Sequence, residues 1–285
     1  MRVAVTGATG RVGWPVVSHL AGQGHQVVTL GRRPVPGCDH RDWALGGPPP
    51  DLSGVDALVH AAFAHVPGRY RGGEGEDPQG FVTGNRDGTL RLFAAARHAG
   101  VGRIVFLSSR AVHDGYPKGS VLPDDLPARP DSLYGRVKAE VEDWLAAAPG
   151  LAGISLRATG VYGAGAPGQP HKWAALFADH LAGQVQGPRI GTEVHEDDLA
   201  AAVGLLLGDG RAQTGAINVS DILLDHRDLL GLVNDLIGRD LPLPPASDPA
   251  NVSVMTCDRL HSLGWTARGW PGLRQAVAAL LATSA

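Results

Sequence analysis

At 285 residues, 44% of them hydrophobic, the chain can fill a sizeable core and has room for one large domain or one and a half. A net charge of −3 leaves no basic stripe for nucleic acid or an acidic membrane surface, and no apolar run approaches the length of a membrane span. Cys38 and Cys257 are too few for a disulfide framework and fit a cytoplasmic chain with free thiols, while the 12 histidines show no metal-binding spacing.

Val3, Ala4 and Val5 form a short uncharged run, suited to a strand buried on both faces of a parallel sheet. Gly7, Gly10 and Gly13 follow at three-residue spacing, and Val12, Val16, Val17 and Leu20 recur at helical spacing. Strand, glycine turn and helix in that order aim backbone N–H groups and the positive end of a helix dipole at one point. A pyrophosphate is the natural occupant. Gly7, Thr9, Gly10, Arg11, Val12 and Gly13 are therefore the expected phosphate-binding residues. The chain enters this strand at once, so no signal peptide is expected.

Gln26 to Leu30 reads as the second strand. An NAD-binding unit carries a carboxylate at its end, for the ribose 2′-OH. This chain has Gly31 there, followed by Arg32 and Arg33. Arginines can receive a 2′-phosphate, so NADP(H) is preferred over NAD(H), and Arg11 is expected to join the same positive pocket. The competing reading is two solvated arginines on a loop. Asp42 and Trp43 stand where a carboxylate and an apolar face could hold adenine, just before the turn-rich 46–50 connector. Ala57 to His60 is the third strand, and Ala61 and Ala62 let backbone pass close to the cofactor. His60 is expected to pack and hydrogen-bond there rather than to catalyse.

The 63–80 stretch is long and polar, as a lid or binding loop would be. Arg69, Tyr70 and Arg71 within it could close over an anionic or hydroxylated small molecule, or form a solvated loop. A helix is expected over 85–99, with Leu90, Phe93 and Ala94 inward, and a strand over 103–107 running into Ser108 and Ser109. The carboxyl ends of such strands are where ligands bind. Strands alternating with helices point to a doubly wound, Rossmann-type α/β fold. Ser132 can cap the next helix, whose packed stripe is Val137, Val141, Trp144 and Leu145. Tyr134 and Lys138 are one turn apart and share a face. A free phenol, with a pKa of about 10, is a poor acid/base near neutrality, and a neighbouring ammonium favours its phenolate.

TGATGRVG (6–13), LVHAA (58–62), the 85–109 segment, PDSLYGRVKAE (130–140), LRATGVYG (156–163), VHEDDLA (194–200) and INVSD (217–221) together resemble the extended short-chain dehydrogenase/reductases, in the NAD-dependent epimerase/dehydratase group. The resemblance implies Tyr134 as acid/base, Lys138 as its electrostatic partner and ribose anchor, and Ser109 as donor to the substrate oxygen, with Ser108 the neighbouring candidate. The family's serine or threonine lies three residues before the valine of its VYG, as Ser109 does before Val112. Asn85 matches the asparagine of the family's NVxGT, in a structural or a catalytic role. Residues 157–163 would pass beside the nicotinamide. The family's VYG becomes Val112-His113-Asp114-Gly115, which sets His113 toward the substrate, and its LRP becomes Leu156-Arg157-Ala158. Where nucleotide-sugar members carry a diphosphate-gripping arginine, the chain has Gly191, with Arg189 displaced by two. That departure speaks against a nucleotide-linked sugar.

Further helices are expected over 171–181, 197–207, 226–237 and 273–281, a strand at 216–219, and irregular chain over 241–249. Residues 1–163 and 190–219 would form the dinucleotide-binding domain, and 164–189 with 220–285 a smaller C-terminal substrate domain across a cleft. The expected activity is hydride transfer between a nicotinamide and a hydroxyl/carbonyl group of a small molecule. The alternatives are a sugar or nucleotide-sugar epimerase/dehydratase that retains its cofactor, and a non-catalytic NAD(P)-sensing regulator. Helices 85–99 and 132–147 carry apolar residues on more than one side, and relatives often pair these helices, so a homodimer is expected.

Overall fold

The computed structural model describes residues 1–66, 69, 72–208 and 214–283. Its first half mixes strands and helices as expected, except that β2, β3 and β4 follow one another with no helix between them. In chain order the elements are β1 (Arg2–Thr6), α1 (Gly13–Gly22), β2 (Gln26–Gly31), β3 (Asp39–Asp42), β4 (Ala57–His60), α2 (Pro78–Val82), α3 (Gly88–His98), β5 (Arg103–Ser109), β6 (Val121–Leu122) and α4 (Leu133–Ala147). The second half holds β7 (Ala152–Ala158), β8 (Gly160–Tyr162), α5 (Ala174–Leu181), β9 (Ile190–His195), α6 (Glu196–Gly208), β10 (Gly215–Val219) and β11 (Ile222–Asp225). It closes with α7 (His226–Ile237), β12 (Val254–Met255), α8 (Asp258–Ser262) and α9 (Gly269–Thr283).

Seven strands form one sheet in the order β10-β7-β5-β4-β1-β2-β3, and every pairing is parallel. The chain builds outward from β1 to one edge, then returns to β4 and builds toward the other. That reversal opens a crevice beyond the carboxyl ends of β1 and β4, and the glycine turn lies there. One face of the sheet packs on Val16, Val17 and Leu20 of α1 and Leu199, Val203 and Leu206 of α6. The other packs on Leu92, Phe93 and Ala96 of α3 and Val141 and Leu145 of α4. A third core, centred on Tyr162, Trp173, Phe177, Leu230, Val233 and Val277, holds α5, α7 and α9 together.

Several boundaries differ from expectation. The 63–80 loop ends early, because Asp77 accepts the Gly80 N–H and Pro78 starts α2. A π-helical turn, Thr83–Asp87, joins α2 to α3. The 190–219 stretch divides: β10 joins the large sheet beside β7, while β9 sits between β8 and β11 in a separate three-stranded sheet. Tyr70 and Arg71 lie outside the described residues; of Arg69, the backbone N–H meets the Val66 carbonyl at 3.0 Å. The large apolar residues of α3 and α4 turn inward. Their exposed positions are Arg91, Ala94, Arg97, His98, Arg136, Glu140, Asp143, Ala146 and Ala147, so Ala94 faces outward against expectation and no stripe of large apolar residues is presented for the expected pairing. Among the described residues, no helix is long and apolar enough to cross a membrane, and no cluster of His, Cys, Asp and Glu could hold a metal ion.

Candidate active site

The turn after β1 requires glycine. Gly7 has φ +66°, and a Cβ there would stand 2.8 Å from the Ala62 nitrogen. The 60–62 backbone is drawn in by Thr6, whose hydroxyl oxygen accepts the Ala61 and Ala62 N–H groups at 3.1 Å each. The Thr6 hydroxyl hydrogen is left for His60 Nδ1, at 2.8 Å, and His60 Nε2 then donates to Thr89 Oγ1 at 2.9 Å. Burial pulls the His60 pKa down to about 3, so this ring is neutral and structural, as expected.

Arg33 reaches back from the end of β2 to within 3.4 Å of Thr9 Oγ1, and Arg32 is exposed beside it. Arg11 does not join them. It turns the opposite way and donates to the Pro170 carbonyl at 3.2 Å, while Gln169 Nε2 donates to the Thr9 carbonyl at 3.0 Å. Arg11 Nη1 is buried with no hydrogen-bond partner among the described residues. A tight glycine cradle beside an unpartnered guanidinium nitrogen fits a dinucleotide's phosphates. Asp42 keeps its carboxylate at the surface, but the Trp43 ring is only 7% exposed and packs in the core with its edge toward His60. The ring therefore offers no open face to adenine, contrary to expectation.

Ser108 and Ser109 end β5 and part company. Ser108 is buried and donates to the Glu142 carboxylate. Ser109 is half-buried, and its Oγ accepts the Ala111 N–H at 3.2 Å, capping a 3-10 turn over Arg110–His113. The start of α4, capped by the Ser132 hydroxyl, lies directly against that turn. A Cβ on Gly135 would stand 2.5 Å from the Ala111 carbonyl oxygen. This close approach seats the first turn of α4 against the turn that Ser109 caps.

Lys138, 4% exposed, is held under the Tyr134 side of α4. Its Nζ donates to the Leu107 carbonyl at 2.6 Å and lies 4.4 Å from the Phe63 ring centre, 4.6 Å from Phe106 and 5.8 Å from Tyr134. Burial pulls its pKa down to about 7, while Glu142 opposes that fall. Glu142 follows Lys138 by one further turn on the same face. It meets Arg157 Nη2 at 2.7 Å and Nε at 3.0 Å, the two side chains being 7% and 6% exposed. Sequence reasoning misses this ion pair. A signal for its carboxylate is present, since Tyr134, Lys138 and Glu142 recur every four residues.

His113 does not face the substrate. It is 2% exposed, and its Nε2 accepts from Arg157 Nη1 at 3.0 Å. Burial and the Arg157 charge hold its pKa down to about 4, so it is a neutral brace. Asn85 is also structural. Its amide accepts the Ala64 N–H at 2.7 Å and donates to the Ala64 and Phe81 carbonyls at 2.8 and 3.0 Å, fixing the chain just after Phe63. Gly191 has open space around it, and Arg189 is exposed.

A parallel sheet with its glycine turn at the switch point, and a Tyr/Lys pair poised beyond the next strand end, is the frame of an extended short-chain dehydrogenase/reductase. The family model described as NAD dependent epimerase/dehydratase family matches residues 3–220, and the chain belongs to that family of enzymes. Its relatives differ in chemistry. It is 29% identical to a UDP-glucose 4-epimerase of Lacticaseibacillus casei, over 93% of this chain and 91% of that one. It is 33% identical to a 3-diazoavenalumate denitrifying reductase of a Streptomyces species, over 78% and 76%. Among solved structures, a Thermus thermophilus UDP-glucose 4-epimerase in complex with NAD is 27% identical, with a TM-score of 0.77 over 99% of both chains. MoeE5 in complex with UDP-glucose and NAD, 24% identical, shares the fold with a TM-score of 0.82 over 100% of this chain and 99% of that one.

Proposed function

We propose that this enzyme moves a hydride between NADP(H), in preference to NAD(H), and a hydroxyl/carbonyl group of a small, sugar-like substrate. The observation that carries the reading is the Lys138 ammonium 5.8 Å from the Tyr134 ring centre, held on the Leu107 carbonyl two residues before Ser109 ends β5. Bound nicotinamide would supply the hydride chemistry. Tyr134 gives a proton to the carbonyl oxygen in reduction and takes one from the hydroxyl in oxidation. The Lys138 charge favours the phenolate that oxidation needs. Ser109 accepts from Ala111 and so keeps its own hydrogen for the substrate oxygen. Gly7, Thr9, Gly10, Arg11, Val12 and Gly13 hold the phosphates, Ala61 and Ala62 line the cofactor path, and Asp42 meets the adenine side. Substrate enters between the large sheet and the 164–189 and 220–285 segments, in a cytoplasmic enzyme. A substrate panel read by the absorbance of the reduced nicotinamide tests the reading, and a panel without turnover would overturn it.

The epimerase alternative draws support from the Lacticaseibacillus relative, which matches nearly the whole chain. Gly191 supplies no arginine grip at the family's diphosphate position, which favours simple oxidation and reduction, while the exposed Arg189 lies two residues before it. The complete Ser109, Tyr134 and Lys138 set disfavours a sensor, since sensing needs none of them. Cofactor that co-purifies without exchange would favour epimerisation.

Arg33, drawn onto Thr9, and Arg32 beside it form the 2′-phosphate site. NADPH is expected to bind about ten-fold more tightly than NADH, the scale of one charged hydrogen bond. Arg33→Ala should erase most of that difference in calorimetric titration, and equal affinities in the parent enzyme would remove the proposal. A homodimer across α3 and α4 is expected through charged and small residues rather than an apolar stripe. Light scattering at micromolar concentration should show it, and salt should weaken it.

A further inference from the structure

The Lys172–Glu193 ion pair has no part in the chemistry above, yet it lies beside it. Lys172 precedes α5, and its Nζ donates to both carboxylate oxygens of Glu193. Glu193 is in β9, flanked by Gly160 of β8 and Ile222 of β11. The two side chains are 23% and 12% exposed. Gly160 makes the room for them: a Cβ there would stand 2.5 Å from both Lys172 Nζ and Glu193 Oε2.

Gly160 also locates the pair. It lies two residues beyond Ala158, which is the register partner of Ser109 across β5 and β7. Gly160 is half-exposed, so the molecular surface opens at this point. Thr159, between them, is 9% exposed, and its hydroxyl has no hydrogen-bond partner among the described residues. The charges of Arg189 and Arg11 are both felt at Lys172, and that of Arg11 at His171 as well. The pair thus lies against Gly160, two residues past the register partner of Ser109.

An ion pair withdrawn from water adds little net stability, because desolvation offsets the attraction. What it offers is a donor and an acceptor fixed side by side. Two of the three Lys172 N–H bonds serve Glu193, which leaves the third, and each Glu193 oxygen retains a lone pair. The pair is neutral in itself, and Arg189 and Arg11 add positive charge around it. A hydroxyl both donates and accepts, and a vicinal diol can meet Lys172 and Glu193 together.

We propose that Lys172 and Glu193 form the substrate-contacting wall of this site and hold a vicinal diol of a polyhydroxy substrate. The proposal rests on the oxidoreductase reading for its reaction, and on the ion pair for its specificity.

The test uses the full-length enzyme saturated with oxidised nicotinamide cofactor, with D-galactose, D-glucose and UDP-glucose as probes. Lys172→Met removes the donor and keeps the stem. Glu193→Gln keeps the shape and removes the charge, so it guards against misfolding of the first variant. In both, KM for the free sugar should rise about ten-fold or more, the scale of one lost hydrogen bond to a charged group, with kcat within two-fold. A purely structural pair would lower the unfolding midpoint and leave KM alone, and that result would overturn the proposal. Calorimetric titration separates the two readings. Absence of turnover on every probe would sink the oxidoreductase reading, while sugar binding that weakens ten-fold in both variants would uphold the wall. No heat of sugar binding to the parent enzyme would overturn the wall itself.

Discussion

Tyr134→Phe is expected to lower turnover by about 100-fold or more and to leave the fold intact. The change removes one oxygen, and the ring still meets Phe63 edge-on at 5.1 Å between centres. What disappears is the positioned proton donor, and 100-fold is the lower end of what such a group contributes. Cofactor affinity should change little. Lys138→Ala should differ, because that ammonium is assigned to the ribose as well as to the phenol. It should weaken cofactor binding, lower turnover and move the pH optimum upward, since the phenol loses its positive neighbour. Ser109→Ala should lower turnover and spare cofactor binding. Steady-state kinetics with parallel cofactor titrations distinguish the three phenotypes. Full activity in Tyr134→Phe would end the proposed chemistry.

The second large effect concerns stability. Glu142→Leu would leave the Arg157 guanidinium buried without its carboxylate, and should destabilise the protein by about 3 kcal/mol or more. Arg157 would keep only the neutral partners His113 and the Asp124 and Leu126 carbonyls. Ser108 would lose its acceptor at the same time. Urea unfolding should show the drop, and the double variant Glu142→Leu with Arg157→Met should recover much of it, because both charges leave together. If the single variant unfolds at the parent's midpoint, the pair is not a buried electrostatic unit. Glu142 also holds up the pKa of Lys138. Its loss should therefore push that ammonium below about 7 and reduce activity near neutrality even where the fold survives.

The sequence reveals most where one strand and one helix alone define a feature. The glycine turn, the strand-end serines and the Tyr134/Lys138 spacing are all of that kind. Local periodicity reveals little where tertiary pairing decides. β3 reads DHRD, an edge strand with charged, outward side chains and no apolar alternation to announce it. β6 and β12 are two residues each and pair across a long stretch of chain. Distance from the glycines points Arg11 and Trp43 toward the cofactor, but neighbours remote in sequence set their orientation. Pro170 draws Arg11 away from Arg32 and Arg33 while leaving it beside the glycine turn, and the core around His60 draws Trp43 in. The start of α2 is legible, since Asp77-Pro78 is a cap followed by a residue already suited to the first helical turn.

The position of β10 has a consequence for synthesis. β7 is buried on both faces, and one of its hydrogen-bonding edges is satisfied only by β10. The ribosome completes β7 at Ala158 and does not begin β10 until Gly215. At 5–20 residues per second, this apolar edge is without its partner for roughly 3–11 s in every molecule made. An unpaired strand edge is a template for other chains. The growing chain is open to such pairing in this interval, and a chaperone that shields β7 until residue 219 has emerged should raise the yield.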